Sequence, residues 1–83
     1  GYREAEPRIA ARISRAPKLA STLLEGVARQ QPRRPALWKL LAQARAAAGR
    51  PGAVAAWRRA AELDPQDPEP IFQAGLALWR ARD

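Results

Sequence analysis

The chain has 83 residues, 47% of them hydrophobic, and a formal net charge of +7. A chain of this length builds one domain with a modest core. It contains no Cys and no His, which removes disulfides, thiolate metal sites, the commonest metal ligand and the commonest general base. No apolar run approaches the roughly 20 residues that span a bilayer, and the opening stretch to Pro7 lacks the apolar core of a signal peptide. With no Met at its start, the chain reads as a piece of a longer protein.

Eight prolines divide the sequence and leave helical patterns between them. Pro7 suits the first turn of a short helix running to about Arg15, with Ile9 and Ile13 on one face. Pro17 opens a second helix whose apolar stripe is Leu19, Leu23, Leu24 and Val27, ending before Pro32. Pro35 starts a third, with Leu37, Trp38, Leu41 and Ala42 inward and Gly49 as the residue that closes it. After the turn at Arg50-Pro51-Gly52, a fourth helix turns Val54, Trp57, Ala60, Ala61 and Leu63 inward and stops at Asp64-Pro65. Asp67-Pro68-Glu69 is a fresh start signal: an acidic N-cap, Pro in the first turn, and a carboxylate at the positive end of the helix dipole. The fifth helix carries Ile71, Ala74, Gly75, Leu78 and Trp79. No segment alternates as a strand does, so the chain is all-α, with short turns joining antiparallel neighbours.

Laid over itself with Ala20 on Ala53, the sequence also sets Leu24, Val27 and Pro32 on Trp57, Ala60 and Pro65. The same shift sets Trp38, Leu41, Ala42 and Arg45 on Ile71, Ala74, Gly75 and Leu78. A fixed period of this size is the mark of stacked repeats, each unit burying its apolar face on the next. Trp38-x-x-Leu41-Ala42, then Ala53-x-x-x-Trp57, then Pro65 resembles the tetratricopeptide repeat. The resemblance covers residues 14–79 and departs from the family where Arg45 replaces the usual aromatic and where the period is one residue short. It implies a short right-handed TPR-like superhelix of about five helices. Residues 1–34 would form a degenerate repeat, 35–67 a complete one, and 68–83 the first helix of another repeat or a cap. Trp38 and Trp57 would be core, and Trp79 either core or interface.

In this family the first helix of each pair lines a concave groove. Carried onto this chain, the groove residues are Arg12, Lys39, Gln43, Phe72, Gln73 and Leu76. In one subset of the family Lys and Asn side chains clamp the C-terminal carboxylate of a peptide; Lys39 fits that pattern, while Gln43 and Gln73 are one methylene longer than Asn. The expected function is that of an interaction module of a larger, bacterial protein, holding a partner peptide in this groove. The expectation includes no enzymatic activity, no cofactor, no metal and no membrane span. Glu62, Asp64, Asp67 and Glu69 cluster in sequence but lack the spacing of a Ca²⁺ loop, and read as turn and cap residues.

Charge supplies two further possibilities. Residues 1–59 hold 13 Lys/Arg against 3 Glu, a net of +10, and residues 60–83 hold 2 Arg against 5 acids, a net of −3. The Arg-rich front could attract nucleic acid or another polyanion, although no aromatic stacking platform accompanies it, and Arg with abundant Ala is also what GC-rich coding places on solvated faces. Alternatively, basic front and acidic rear could stack head to tail, with self-association through the last helix.

Overall fold

The computed structural model describes residues 15–80. These contain four α-helices and no strand: α1 (Pro17–Gln30), α2 (Pro35–Ala47), α3 (Ala53–Leu63) and α4 (Glu69–Arg80). The short helix expected from Pro7 onward, and Arg12 with it, lies outside the described residues, so four of the five expected helices fall within them.

The punctuation works as its chemistry requires. Pro17 and Pro35 stand at the starts of α1 and α2, where a missing N–H costs no helical hydrogen bond. At the end of α2 the Gly49 N–H donates to Ala46 O (3.2 Å) and the Arg50 N–H to Arg45 O (2.9 Å). That pair of bonds satisfies the last carbonyls and needs a left-handed residue, which Gly49 supplies with φ +67°. Gly52, at φ +97°, makes the entry to α3 in the same way. Asp67 accepts the Glu69 N–H through Oδ1 (3.0 Å), anchoring the first turn of α4.

Each helix packs against its neighbours in the chain: α1 on α2, α2 on α3, and α3 on α4. Helix α2 is therefore flanked twice, and Leu37, Leu41, Ala42 and Ala44 are all at most 1% exposed. Against it lie Ala20, Leu24 and Ala28 of α1 and Ala56 and Trp57 of α3, with Ala74 of α4 completing one continuous core. Small residues dominate these contacts because they let helix backbones approach closely, while Leu24, Leu41 and Trp57 fill the space beside them.

Several expected core positions are not buried. Leu19 and Leu23 are 51% and 43% exposed, and α1 instead buries Ala20, Ser21, Leu24 and Ala28. Ile71 and Leu78 of α4 are 64% and 48% exposed, and Gly75 is exposed as well. Trp79 is also exposed. The cause is shared: α1 and α4 each pack extensively on one described helix, so each buries one narrow stripe rather than a broad face. Trp38 is half-buried rather than core, since its indole N–H reaches out to donate to Pro32 O in the α1–α2 turn (2.8 Å). Ala61 and Leu63 are likewise half-buried, as is Ala53.

Two arginines tie the end of α2 and the turn after it to α1. The buried Ser21 hydroxyl donates to Lys18 O (2.9 Å) and accepts from Arg50 Nη1 (2.7 Å), so the buried polar side chain of the described core is satisfied. Arg45, standing where the family pattern has an aromatic, pairs with Glu25 of α1 (3.6 Å) and donates to Gly52 O (3.1 Å).

Burial separates two neighbouring leucines sharply. Leu24→Ala should cost about 2–5 kcal/mol of unfolding free energy, whereas Leu23→Ala should cost under about 1 kcal/mol. Urea denaturation of dilute samples of both variants measures the difference.

Candidate functional site

Apart from Arg12, the residues expected to line a groove sit on α2 and α4. On α2, Lys39 and Gln43 are four apart and share a side of the helix; Lys39 is half-buried and Gln43 exposed. On α4, Phe72, Leu76 and Trp79 follow the i, i+4, i+7 spacing of one helical stripe. Phe72 and Trp79 are 66% and 67% exposed, and Leu76 and Gln73 are half-buried. This stripe leaves two aromatic rings in water.

Lys39 is not a free cation. Its ammonium donates to Asp67 Oδ2 at 2.9 Å and lies 3.5 Å from Glu69 Oε1. This bridge links α2 to the start of α4, past the helix that intervenes in the sequence. The hydrogen bond to Asp67 holds the Lys39 pKa above its ordinary value, against a smaller opposing effect of burial. Asp67 is held below its ordinary value, first by the Lys39 hydrogen bond and then by the Glu69 N–H. A peptide carboxylate arriving at Lys39 would have to compete with two carboxylates already there.

The structure therefore brings Lys39 to the base of α4, near the stripe that begins at Phe72, while Arg12 lies outside the described residues. The role of Asp67 is only half legible in the sequence. As a cap it follows from Asp67-Pro68-Glu69, but its partner Lys39 lies far away in the chain and leaves no local signal. Among the described residues no group of His, Cys, Asp or Glu is arranged to hold a metal ion, and no helix is long and apolar enough to cross a membrane.

A second surface has no local signature in the sequence. An open groove of about 430 Å³ runs between α3 and α4, lined by Arg58, Ala61 and Glu62 on one side and Ile71, Ala74, Gly75 and Leu78 on the other. Its floor is apolar. Glu62 is engaged by Arg59 (3.0 Å) at the rim.

No protein-family model, no curated protein and no solved structure matches this chain.

The pKa directions of the Lys39–Asp67 pair fix a pH dependence. A depressed carboxylate adds stability above its ordinary pKa of about 4, and that stability is lost as pH falls through the lowered value. A raised ammonium adds stability below about 10.4, lost as pH climbs through the raised value. The pair therefore stabilises the fold across the neutral range. Asp67→Asn should lower the thermal midpoint at pH 7 and flatten its fall on acidification. Lys39→Met should remove the same contribution, and the double variant should lose less than the two single losses added together. Melting curves recorded from neutral to acid pH test this.

Proposed function

We propose that this chain is a helical-repeat interaction module of a larger, bacterial protein, a short TPR-like right-handed stack that binds a segment of a partner protein rather than catalysing a reaction. The bound segment lies along the side of α2 and α4 that presents Lys39, Gln43, Phe72, Gln73 and Leu76. The observation that carries this assignment is the stripe of Phe72, Leu76 and Trp79, with both rings exposed, on the helix whose first residue Lys39 approaches. Large exposed aromatics are costly to leave in water and are the side chains that anchor partners at interfaces. The in-phase internal repeat agrees with it, because stacked helix pairs create extended surfaces.

The bridge from Lys39 to Asp67 and Glu69 bears on specificity. With its cation engaged, the polar side favours a partner that offers a basic group to Glu69 or hydrogen bonds to Gln43 and Gln73, rather than one that relies on a terminal carboxylate. Apolar anchors on the α4 stripe would then supply most of the affinity.

Selection of a displayed random-peptide library on the immobilised chain tests this. Enriched peptides should carry an apolar anchor, and Phe72→Ala should weaken their binding about tenfold or more, roughly the 1.4 kcal/mol expected of an interface anchor. Binding should persist at high salt. Failure to enrich any peptide, or binding indifferent to Phe72, contradicts the assignment. Affinity for a nucleic acid that collapses with added salt would favour the polyanion reading instead.

A further inference from the structure

The internal repeat says what belongs in the α3–α4 groove. Shifted back by one period, its α4 lining of Ile71, Ala74, Gly75 and Leu78 becomes Trp38, Leu41, Ala42 and Arg45 of α2. On α2 the central two of those positions, Leu41 and Ala42, are sealed from water. Helix α3, packed on α2, contributes to that cover. On α4 the corresponding face is only partly covered: Ala74 is buried, while Ile71, Gly75 and Leu78 are exposed. The groove is thus an unfilled copy of the seat that α3 occupies.

The matching plug lies at the other end of the molecule. The same shift sets α1 on α3, with Leu19, Leu23 and Val27 at the places of Gly52, Ala56 and Ala60. Ala56 and Ala60 are fully buried in α3, which has two neighbours. Leu23 is exposed and Val27 half-buried in α1, which packs extensively on one described helix. The same shift sets residues 5–14, outside the described residues, at the place of α2, and Leu19 and Leu23 of α1 remain exposed to a further neighbour. One contact even changes its chemistry in concert. In the internal version Arg45 donates to Gly52 O, and a Cβ on Gly52 would stand 3.1 Å from Arg45 Nη1. In the external version both members become leucine, Leu78 and Leu19, each about half exposed. An arginine that bonds a glycine carbonyl inside the molecule thus answers, one period away, to two exposed leucines at its ends.

We infer that a second copy of this chain fills the groove: α1 of one molecule seats on α4 of the next, repeating the α2–α3 contact and extending the stack head to tail. Charge favours this polarity over the two alternatives: residues 15–34 hold five Lys/Arg against one Glu, a net of +4, and residues 60–80 hold one Arg against four acids, a net of −3, so head meets tail with opposite sign while heads repel heads. The contact is heterologous and does not close on itself, so association adds molecules one after another. Phe72, Leu76 and Trp79 stay free in this assembly, because their counterparts on α2, Lys39, Gln43 and Ala46, remain outside the core with α3 in place. The inference therefore stands apart from peptide binding.

Two blocked variants decide it. Leu23→Arg spoils the head and Leu78→Arg spoils the tail, both at positions that are already exposed. By sedimentation at millimolar concentration, the wild-type chain should gain mass steadily with concentration, and less so in high salt. Each variant alone should remain a monomer. An equal mixture should form a one-to-one dimer and stop there, the intact tail of one holding the intact head of the other. Circular dichroism confirms that both are folded; Leu19→Arg and Ile71→Arg stand in for either one that is not. A monomeric wild-type chain, variants that associate unchanged, a mixture that stays monomeric, or a wild-type that stops at a dimer overturns the inference. Leu78→Arg should leave peptide binding at Phe72 intact, which keeps the two outcomes distinguishable.

Discussion

Everything in this molecule turns on how closely α2 is approached from two sides. Ala42 and Ala44 present almost no side chain where neighbouring backbones come near, and Leu37 and Leu41 fill the remaining space, so α2 is sealed along two faces at once. A bulky residue at Ala42 would hold a neighbour away and open a gap around Trp57, because tightly packed interiors do not absorb added volume without strain. Arg45 and Arg50 reinforce the arrangement from the C-terminal end of α2, pinning it to Glu25 and Ser21 of α1. The turn that follows is possible because Gly49 and Gly52 accept positive φ.

The outer helices have the opposite character. With extensive packing on one described helix each, α1 and α4 hide one stripe and leave leucines, an isoleucine and two aromatics in contact with water. Stacked helices produce that imbalance whenever central units are satisfied from either side and outer units from one. The exposed surface divides into two parts by the logic of the internal repeat. One part corresponds to positions that are covered in the middle of the molecule, and calls for another helix. The other corresponds to positions that stay open in the middle, and is available to a different partner. Mapping each bare side chain onto its counterpart one period away is what separates the two.

Much of the helix layout is legible in the residues. Pro17, Pro35, Gly49 and Asp67 each perform a local task that backbone geometry enforces, so helix starts and stops follow from chemistry within a few positions. Facing is less legible. Leu19 and Leu23 are more hydrophobic than Ala20, Ser21 and Ala28, yet the smaller set is buried, because the number of neighbours and the distance of approach decide burial, not side-chain hydrophobicity alone. Nothing local marks Ser21 as a core residue; what makes its burial tolerable is Arg50, bonded to it from the turn beyond α2. Lys39 is expected to line a groove, but its partners Asp67 and Glu69 come from a distant part of the chain, and such pairings leave no trace in periodicity. The α3–α4 groove is hidden for a related reason. Its lining repeats the pattern of core residues, yet no described helix of the same chain covers it.

Native-state amide hydrogen exchange, run on dilute and monomeric samples, tests most directly whether stability is concentrated at α2. If it is, the amides of Leu41 to Ala44 exchange slowest, by openings close to global unfolding, while those of Phe72 to Leu78 in α4 exchange many-fold faster through local opening. Equal protection of α4 and α2 under those conditions, or an α2 that opens first, would contradict this account of what holds the helices together.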